Sequence, residues 1–330
     1  MPNSKLIDPC NRKLNYLRIS ITDRCNLRCI YCVPHGFIPK LPHKEILSYE
    51  EILHIVRISV GLGISKVRIT GGEPLVRKGV YGFLKRLTKI EGLLDISLTT
   101  NGVFLKHNIN KIKSAGIKRI NISLDTLNRK KYRKITGYDF FDQVWEGIEL
   151  AHKMGFDPVK LNVVPLKGIN DDELTDIAAL SIDYPFHIRF IEYMPMGTNQ
   201  MESDHHLLFP EIKKRIDQFG KLIPVEKDMN DGPAERFKFK SAKGEIGFIR
   251  PISQHFCNTC NRLRLTASGQ LRPCLMSDVQ VDLKTPLRKG CSDAELAEVF
   301  LQAVRLKPLG HNLSGDHPVG VSAQMCAIGG

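Results

Sequence analysis

Tyr16-Leu17-Arg18-Ile19-Ser20-Ile21-Thr22-Asp23-Arg24-Cys25-Asn26-Leu27-Arg28-Cys29-Ile30-Tyr31-Cys32 is the stretch on which the reading of this 330-residue chain turns. Its first part, Tyr16–Ile21, alternates apolar and polar residues and predicts a strand. Three cysteines then fall within eight residues. Thiols so close must converge on one centre if they ligate anything. Structural zinc takes four ligands; three are local here, and His35 is available as a fourth. Three thiolates also suit a four-iron cluster with one iron left open, and an open iron can bind a substrate or cofactor. Spacing alone leaves zinc, a cluster and simple reactive thiols all standing.

Beyond this stretch the same rhythm repeats. Further strands are expected at Lys66–Thr70, Asp95–Thr99, Arg119–Leu124, Val159–Val164 and His187–Glu192. Helices are expected near Val80–Ile90, Leu105–Ala115, Phe141–Met154, Asp171–Leu180 and Pro210–Phe219, with another opened by Ser48 and Glu51 in a capping-box pattern. Six strand–helix units predict a parallel sheet, either doubly wound or closed into part of a barrel, with ligands at the C-terminal ends of the strands. After about residue 225 the pattern changes to short alternating runs (Arg236–Lys240, Gly244–Ile249), a Cys- and Arg-rich loop stretch and a helix near Asp293–Val304. Residues 226–330 are therefore expected to form a smaller extension packed on a 1–225 unit.

Composition narrows the class. Hydrophobic residues make up 42% of the chain and charged residues 25%, which argues against disorder, collagen and coiled coil. No apolar run reaches the ~18 residues that span a bilayer, and residues 1–8 carry no secretory pattern, so a cytoplasmic protein is expected. The net charge of +13 calls for an acidic partner; its spread along the chain favours an anionic small molecule over nucleic acid. The nine cysteines, an odd number, do not suggest a disulfide framework.

Six of those cysteines form two triplets. The second is Cys257-Asn258-Thr259-Cys260 with Cys274 after thirteen intervening residues. A zinc ribbon completed by Cys291 or a histidine is one reading of it, and a second three-thiolate cluster is the other. Cys10, Cys291 and Cys326 match no motif.

The first triplet, C-x-x-x-C-x-x-C with Tyr31 before its last cysteine, together with Gly71-Gly72-Glu73-Pro74 after the second strand, resembles the radical S-adenosylmethionine (SAM) superfamily. Several further stretches resemble one branch of it, the GTP cyclases of molybdenum cofactor biosynthesis. They are Leu17–Arg24, Thr99-Thr100-Asn101-Gly102, Asn121–Asp125, Arg189-Phe190-Ile191-Glu192, Cys257–Arg264 with Cys274, and the terminal Gly329-Gly330. The resemblance covers roughly 14–330 and departs after Cys32 and over 199–235.

The resemblance implies an α/β fold, an incomplete (βα)6 TIM-type barrel, with a C-terminal extension that carries a second Fe–S cluster. It implies two [4Fe-4S] clusters, one on Cys25, Cys29 and Cys32 and one on Cys257, Cys260 and Cys274. It also implies SAM held by Tyr31, Gly72, Ser123 and Met194. For GTP it points to Arg18, Lys66, Arg68, Thr99, Lys160, Arg262, Leu263 and Arg264, with Arg262, Arg264, Gly329 and Gly330 at the chemistry. The implied reaction is radical abstraction of the ribose 3′ hydrogen and cyclisation of GTP to its 3′,8-cyclo-7,8-dihydro form. Implied partners are a one-electron reductant and, functionally, the next pathway enzyme, cyclic pyranopterin monophosphate synthase, with homodimerisation left open and neither membrane nor nucleic acid expected. Two rivals remain: a peptide- or sulfatase-maturing radical SAM enzyme, and a non-catalytic zinc protein that binds nucleic acid.

Overall fold

The structure is a computed structural model that describes residues 5–32, 40–197, 201–226, 232–311 and 321–329; His35 and Gly330 lie outside the described residues. The elements run β1 (Tyr16–Ser20), α1 (Tyr49–Gly61), β2 (Lys66–Thr70), α2 (Val80–Leu87), β3 (Asp95–Thr100), α3 (Leu105–Ser114), β4 (Arg119–Ser123), α4 (Arg129–Thr136) and α5 (Phe141–Lys153). They continue with β5 (Val159–Val163), α6 (Leu174–Asp183), β6 (His187–Ile191), α7 (Phe209–Phe219), β7 (Leu222–Pro224), β8 (Glu235–Phe239) and β9 (Glu245–Ile249). The last are β10 (Arg262–Leu265), β11 (Gln270–Arg272), β12 (Val281–Asp282), α8 (Lys284–Arg288), α9 (Asp293–Arg305) and α10 (Met325–Ile328).

All twelve strands form one sheet in the order β12-β11-β10-β1-β2-β3-β4-β5-β6-β9-β8-β7. β1 to β6 pair in parallel in chain order, each joined to the next by a helical crossover, the connection parallel neighbours require. This is the incomplete TIM-type barrel. β10 joins β1 in parallel and β9 joins β6 in parallel, and antiparallel strands finish both edges. The sheet is thus continuous across residue 225: the later residues extend both flanks of the same layer.

The outer face packs on the helices. Leu17, Ile19, Val67, Leu98, Ile120, Ile188, Leu263 and Leu265 are fully buried there, each worth about 1.5–3 kcal/mol of apolar transfer. Helix α1 starts as its sequence predicts. Ser48 accepts from Glu51 N at 3.0 Å and the Glu51 carboxylate accepts from Ser48 N at 2.6 Å.

Several elements escape the sequence pattern: α4, β7, β10, β11, β12, α8 and α10. In α4 only Tyr132, Ile135 and Thr136 are buried, so its apolar stripe is too thin to read; Asn128 caps it and Gly137 closes it in the left-handed region. The expected loop around Arg262 contains the strand β10. Its alternation is real, but the charged positions face inward. Among the described residues no helix is long and apolar enough to cross a membrane.

Candidate active site

Alternate residues of the central strands point into the barrel and line a cavity of about 300 Å³. Register places their side chains in rows. Tyr16 lies opposite Lys66 on one side and Arg262 on the other; Arg18 lies opposite Arg68 and Arg264. Five cations thus surround one phenol on three neighbouring strands. Like charges directly opposite one another repel, and with Tyr16 and Arg264 buried and Arg18, Lys66, Arg68 and Arg262 half-buried, the repulsion is less screened than at an open surface.

The titration behaviour follows. Burial, partly offset by Tyr16, with Arg68 and Arg262 alongside, pulls Arg18 down to about 9. Burial, then Arg18 and Arg262, lower Arg264 well below its ordinary value. Across the cavity, burial and then Arg189 and Arg119 pull the Lys160 ammonium down to about 6. Asp95 offsets part of the charge, with ion pairs of 2.9 Å to Lys66 and 2.9 Å to Arg119. The hydroxyls of Tyr16 and Thr99 and the amide oxygen of Asn162 are buried in the cavity wall without a hydrogen-bond partner. An anion with several acceptor and donor groups would relieve both the repulsion and these orphaned atoms.

Cys25, Cys29 and Cys32 line the cavity just beyond the C-terminal end of β1. Gly72 N donates to Thr22 O at 2.7 Å and Glu73 N to Arg24 O at 2.8 Å. A Cβ on Gly72 would sit 2.5 Å from Arg24 O, so the glycine is required for this turn to lie against the cysteine loop. Glu73 is fully buried and accepts from Leu75 N, Thr100 Oγ1 and Asn101 N at 2.7–3.0 Å, though burial still pushes it up to about 7. It ties the ends of β2 and β3 together. Asn101 Nδ2 in turn contacts Cys25 Sγ at 3.8 Å. Just past the end of β4, Asp125 accepts from Tyr31 OH at 2.7 Å; burial pushes Asp125 up to about 6. Burial raises the Cys25 and Cys29 thiols, and contact with Cys326, then burial, raises Cys32.

The second triplet stands at the other end of the strands. Cys260 precedes β10, whose start pairs with the start of β1, and Cys274 follows the antiparallel β11. All three of its cysteines line the same cavity. Burial would raise the Cys260 thiol, but Arg262 and Lys307 outweigh it and hold it at about 6. Among the described residues no group of three His, Cys, Asp or Glu side chains is placed to hold a single metal ion.

Of the expected SAM residues, Tyr31, Gly72, Ser123 and Met194 all line the cavity, as do Arg18, Lys66, Arg68, Thr99, Lys160, Arg262 and Arg264 among those for GTP. Leu263 does not. Its side chain is fully buried in the core on the opposite face of β10, which leaves only its backbone toward the substrate side. Gly329 reaches the site through its carbonyl, which accepts from Arg264 at 2.7 Å. Cys291 is partly buried against the helical core. Cys326 lines the cavity beside Cys32. Tyr16, Arg119, Asn162 and Arg189 also line it and were missed as site residues; the period-2 alternation of their strands is the signal that marks them.

The Radical SAM superfamily model matches residues 19–180 and the Molybdenum Cofactor Synthesis C model residues 186–313. A GTP 3′,8-cyclase of Thermodesulfovibrio yellowstonii is 54% identical over 92% of this chain and 94% of its own length. The chain belongs to the GTP 3′,8-cyclase family. Another family member, from Moorella thermoacetica, is 50% identical over 93% of this chain and 95% of its own length. Among solved structures, Streptococcus suis SuiB aligns with a TM-score of 0.61 at 14% identity, covering 88% of this chain and 66% of that one. That likeness speaks for the radical SAM fold alone. Membership in the cyclase family removes the zinc-protein rival.

Proposed function

We propose that this protein converts GTP to (8S)-3′,8-cyclo-7,8-dihydroguanosine 5′-triphosphate, the first step of molybdenum cofactor biosynthesis. The observation that carries the reading is the cationic wall of Arg18, Lys66, Arg68, Arg262 and Arg264 standing between two cysteine triplets in one cavity. A triphosphate is the anion that matches it. Arginine's fixed fork of donors suits phosphate oxygens and lysine adds point charge.

Three cysteines per site, each with a cavity in front, fit a [4Fe-4S] cluster with one open iron. Cys25, Cys29 and Cys32 would hold the first, and Cys257, Cys260 and Cys274 the second. When bound, the first cluster and SAM supply a radical able to take an unactivated hydrogen. Tyr31, Gly72, Ser123 and Met194, which line the cavity, would hold SAM. Thr99, Lys160, Arg18, Lys66 and Arg68 hold and orient the nucleotide, with the Leu263 backbone between Arg262 and Arg264. Arg262, Arg264 and Gly329, whose carbonyl accepts from Arg264, would act at the reacting sugar, together with Gly330. The unit spanning 1–225 carries the SAM chemistry, and 226–330 brings the second cluster and the tail. A one-electron reductant is required, and cyclic pyranopterin monophosphate synthase would consume the product.

The test is incubation of anaerobically reconstituted protein with GTP, SAM and dithionite. Equal amounts of 5′-deoxyadenosine and cyclised nucleotide are expected. SAM cleavage with no GTP consumed would overturn the reading.

A further inference from the structure

The second triplet is gripped by two buried cations that lie outside its motif. Arg12 donates to the Cys257 carbonyl at 2.7 Å and to Pro308 O at 2.7 Å. Lys307, just past α9, is 5% exposed. Its ammonium reaches Cys260 Sγ at 3.6 Å, Arg262 O at 2.8 Å and Pro273 O at 2.7 Å. An ammonium has three N–H donors, and these three acceptors use all of them. Arg262 lies two residues after Cys260, and Pro273 directly precedes Cys274. One side chain therefore holds together the two segments that carry those cysteines.

The two cations differ in their counter-charge. Arg12 is ion-paired with Asp8 at 2.5 Å, so its charge is matched within its own hairpin. No carboxylate among the described residues pairs with Lys307; two of its acceptors are neutral carbonyls, which satisfy hydrogen bonds without cancelling charge. Among the described residues, the anionic groups that face Lys307 are the sulfurs of Cys260, within hydrogen-bond reach, and Cys274, once those residues are ligands. A buried charge whose counter-charge is confined to these sulfurs interacts with them strongly. Hydrogen bonds and charge at ligand sulfur govern the potential of an iron–sulfur centre.

We propose that Lys307 is a positioning residue of the second cluster, gathering the Cys260 and Cys274 segments and raising the cluster's reduction potential through its N–H···S bond and uncompensated charge. This rests on the four-iron reading of the second triplet. Arg12, already neutralised, acts as a mechanical clamp on Cys257 and leaves the potential alone.

The experiment uses the full chain with Cys25, Cys29 and Cys32 all changed to alanine, so that the only iron belongs to the second triplet. Iron and sulfide are counted, and the midpoint potential is read by EPR-monitored titration, for this protein and for added Lys307→Met, Lys307→Gln, Lys307→Arg and Arg12→Gln. The neutral Lys307 variants are expected to disfavour reduction about tenfold, which for one electron is about 59 mV more negative. Lys307→Arg and Arg12→Gln should stay near the parent. Absence of four iron atoms in the parent variant overturns the cluster reading itself. Four irons with an unchanged potential in either neutral variant overturn the role of Lys307. If both neutral variants lose iron, retention in Lys307→Arg supports the charge, and loss there too overturns it.

Discussion

Arg264 donates a 2.7 Å hydrogen bond from its guanidinium to the carbonyl of Gly329, sixty-five residues on in sequence. The arginine is 4% exposed and stands in the row with Arg18 and Arg68. The tail is thereby tied directly to the cationic wall. Gly329 has φ +85°, and a Cβ there would meet Thr70 Cγ2 at 2.8 Å and Ser20 Cβ at 2.9 Å. Only glycine fits between the ends of β1 and β2 in that conformation.

Removing Gly329 and Gly330 should therefore leave folding and SAM binding intact while cyclisation falls at least ~100-fold, the scale of misplacement near reacting atoms. Gly329→Ala should move in the same direction. Quantifying 5′-deoxyadenosine and cyclised nucleotide together checks this. Near-normal product from the truncated chain would show that the tail is dispensable.

Arg262→Ala and Arg264→Ala should each weaken GTP binding by about 1.5–3 kcal/mol, the range for a hydrogen bond to a charged group. Calorimetry on anaerobic protein measures it, with iron content as the control. Unaltered affinity in both variants would place the triphosphate elsewhere.

Binding should also take up a proton. Lys160 is held near 6 in the free protein, so between roughly pH 7 and 9 it is mostly neutral there. A bound triphosphate favours the charged form and raises its pKa. Affinity should then increase as pH falls through this window, and level off once the free protein is itself protonated. Calorimetry in buffers of different ionisation enthalpy reads the uptake directly. Lys160→Met should abolish it, and uptake that persists in that variant would assign it to another group.

Metal content separates the two sites. Cys25→Ala should remove about half the iron and all SAM cleavage. Cys274→Ala should also remove about half, yet leave slow SAM cleavage, because three local thiolates serve each cluster. Stoichiometric zinc at either triplet in anaerobic protein would contradict this.

The sequence by itself determined the six strand–helix units, because each strand carries an apolar face that must be buried and each helix a 3.6-residue stripe to bury it. It also determined the cysteine triplets and the Gly71–Pro74 turn, since local spacing alone constrains them. Tertiary structure decided the rest. That β10 lies beside β1, putting Arg264 in register with Arg18 and Arg68, depends on a pairing across more than 240 residues that no local pattern encodes. Arg262 and Arg264 read as loop in the sequence because a charged residue is normally a surface residue; here they lie on β10 and line the barrel interior. Lys307 and Arg12 carry no motif at all, and only the folded chain brings them against Cys260 and Cys257. Glu73 is the intermediate case: its turn is legible, but its task of joining β2 to β3 appears only when Thr100 and Asn101 arrive at its carboxylate.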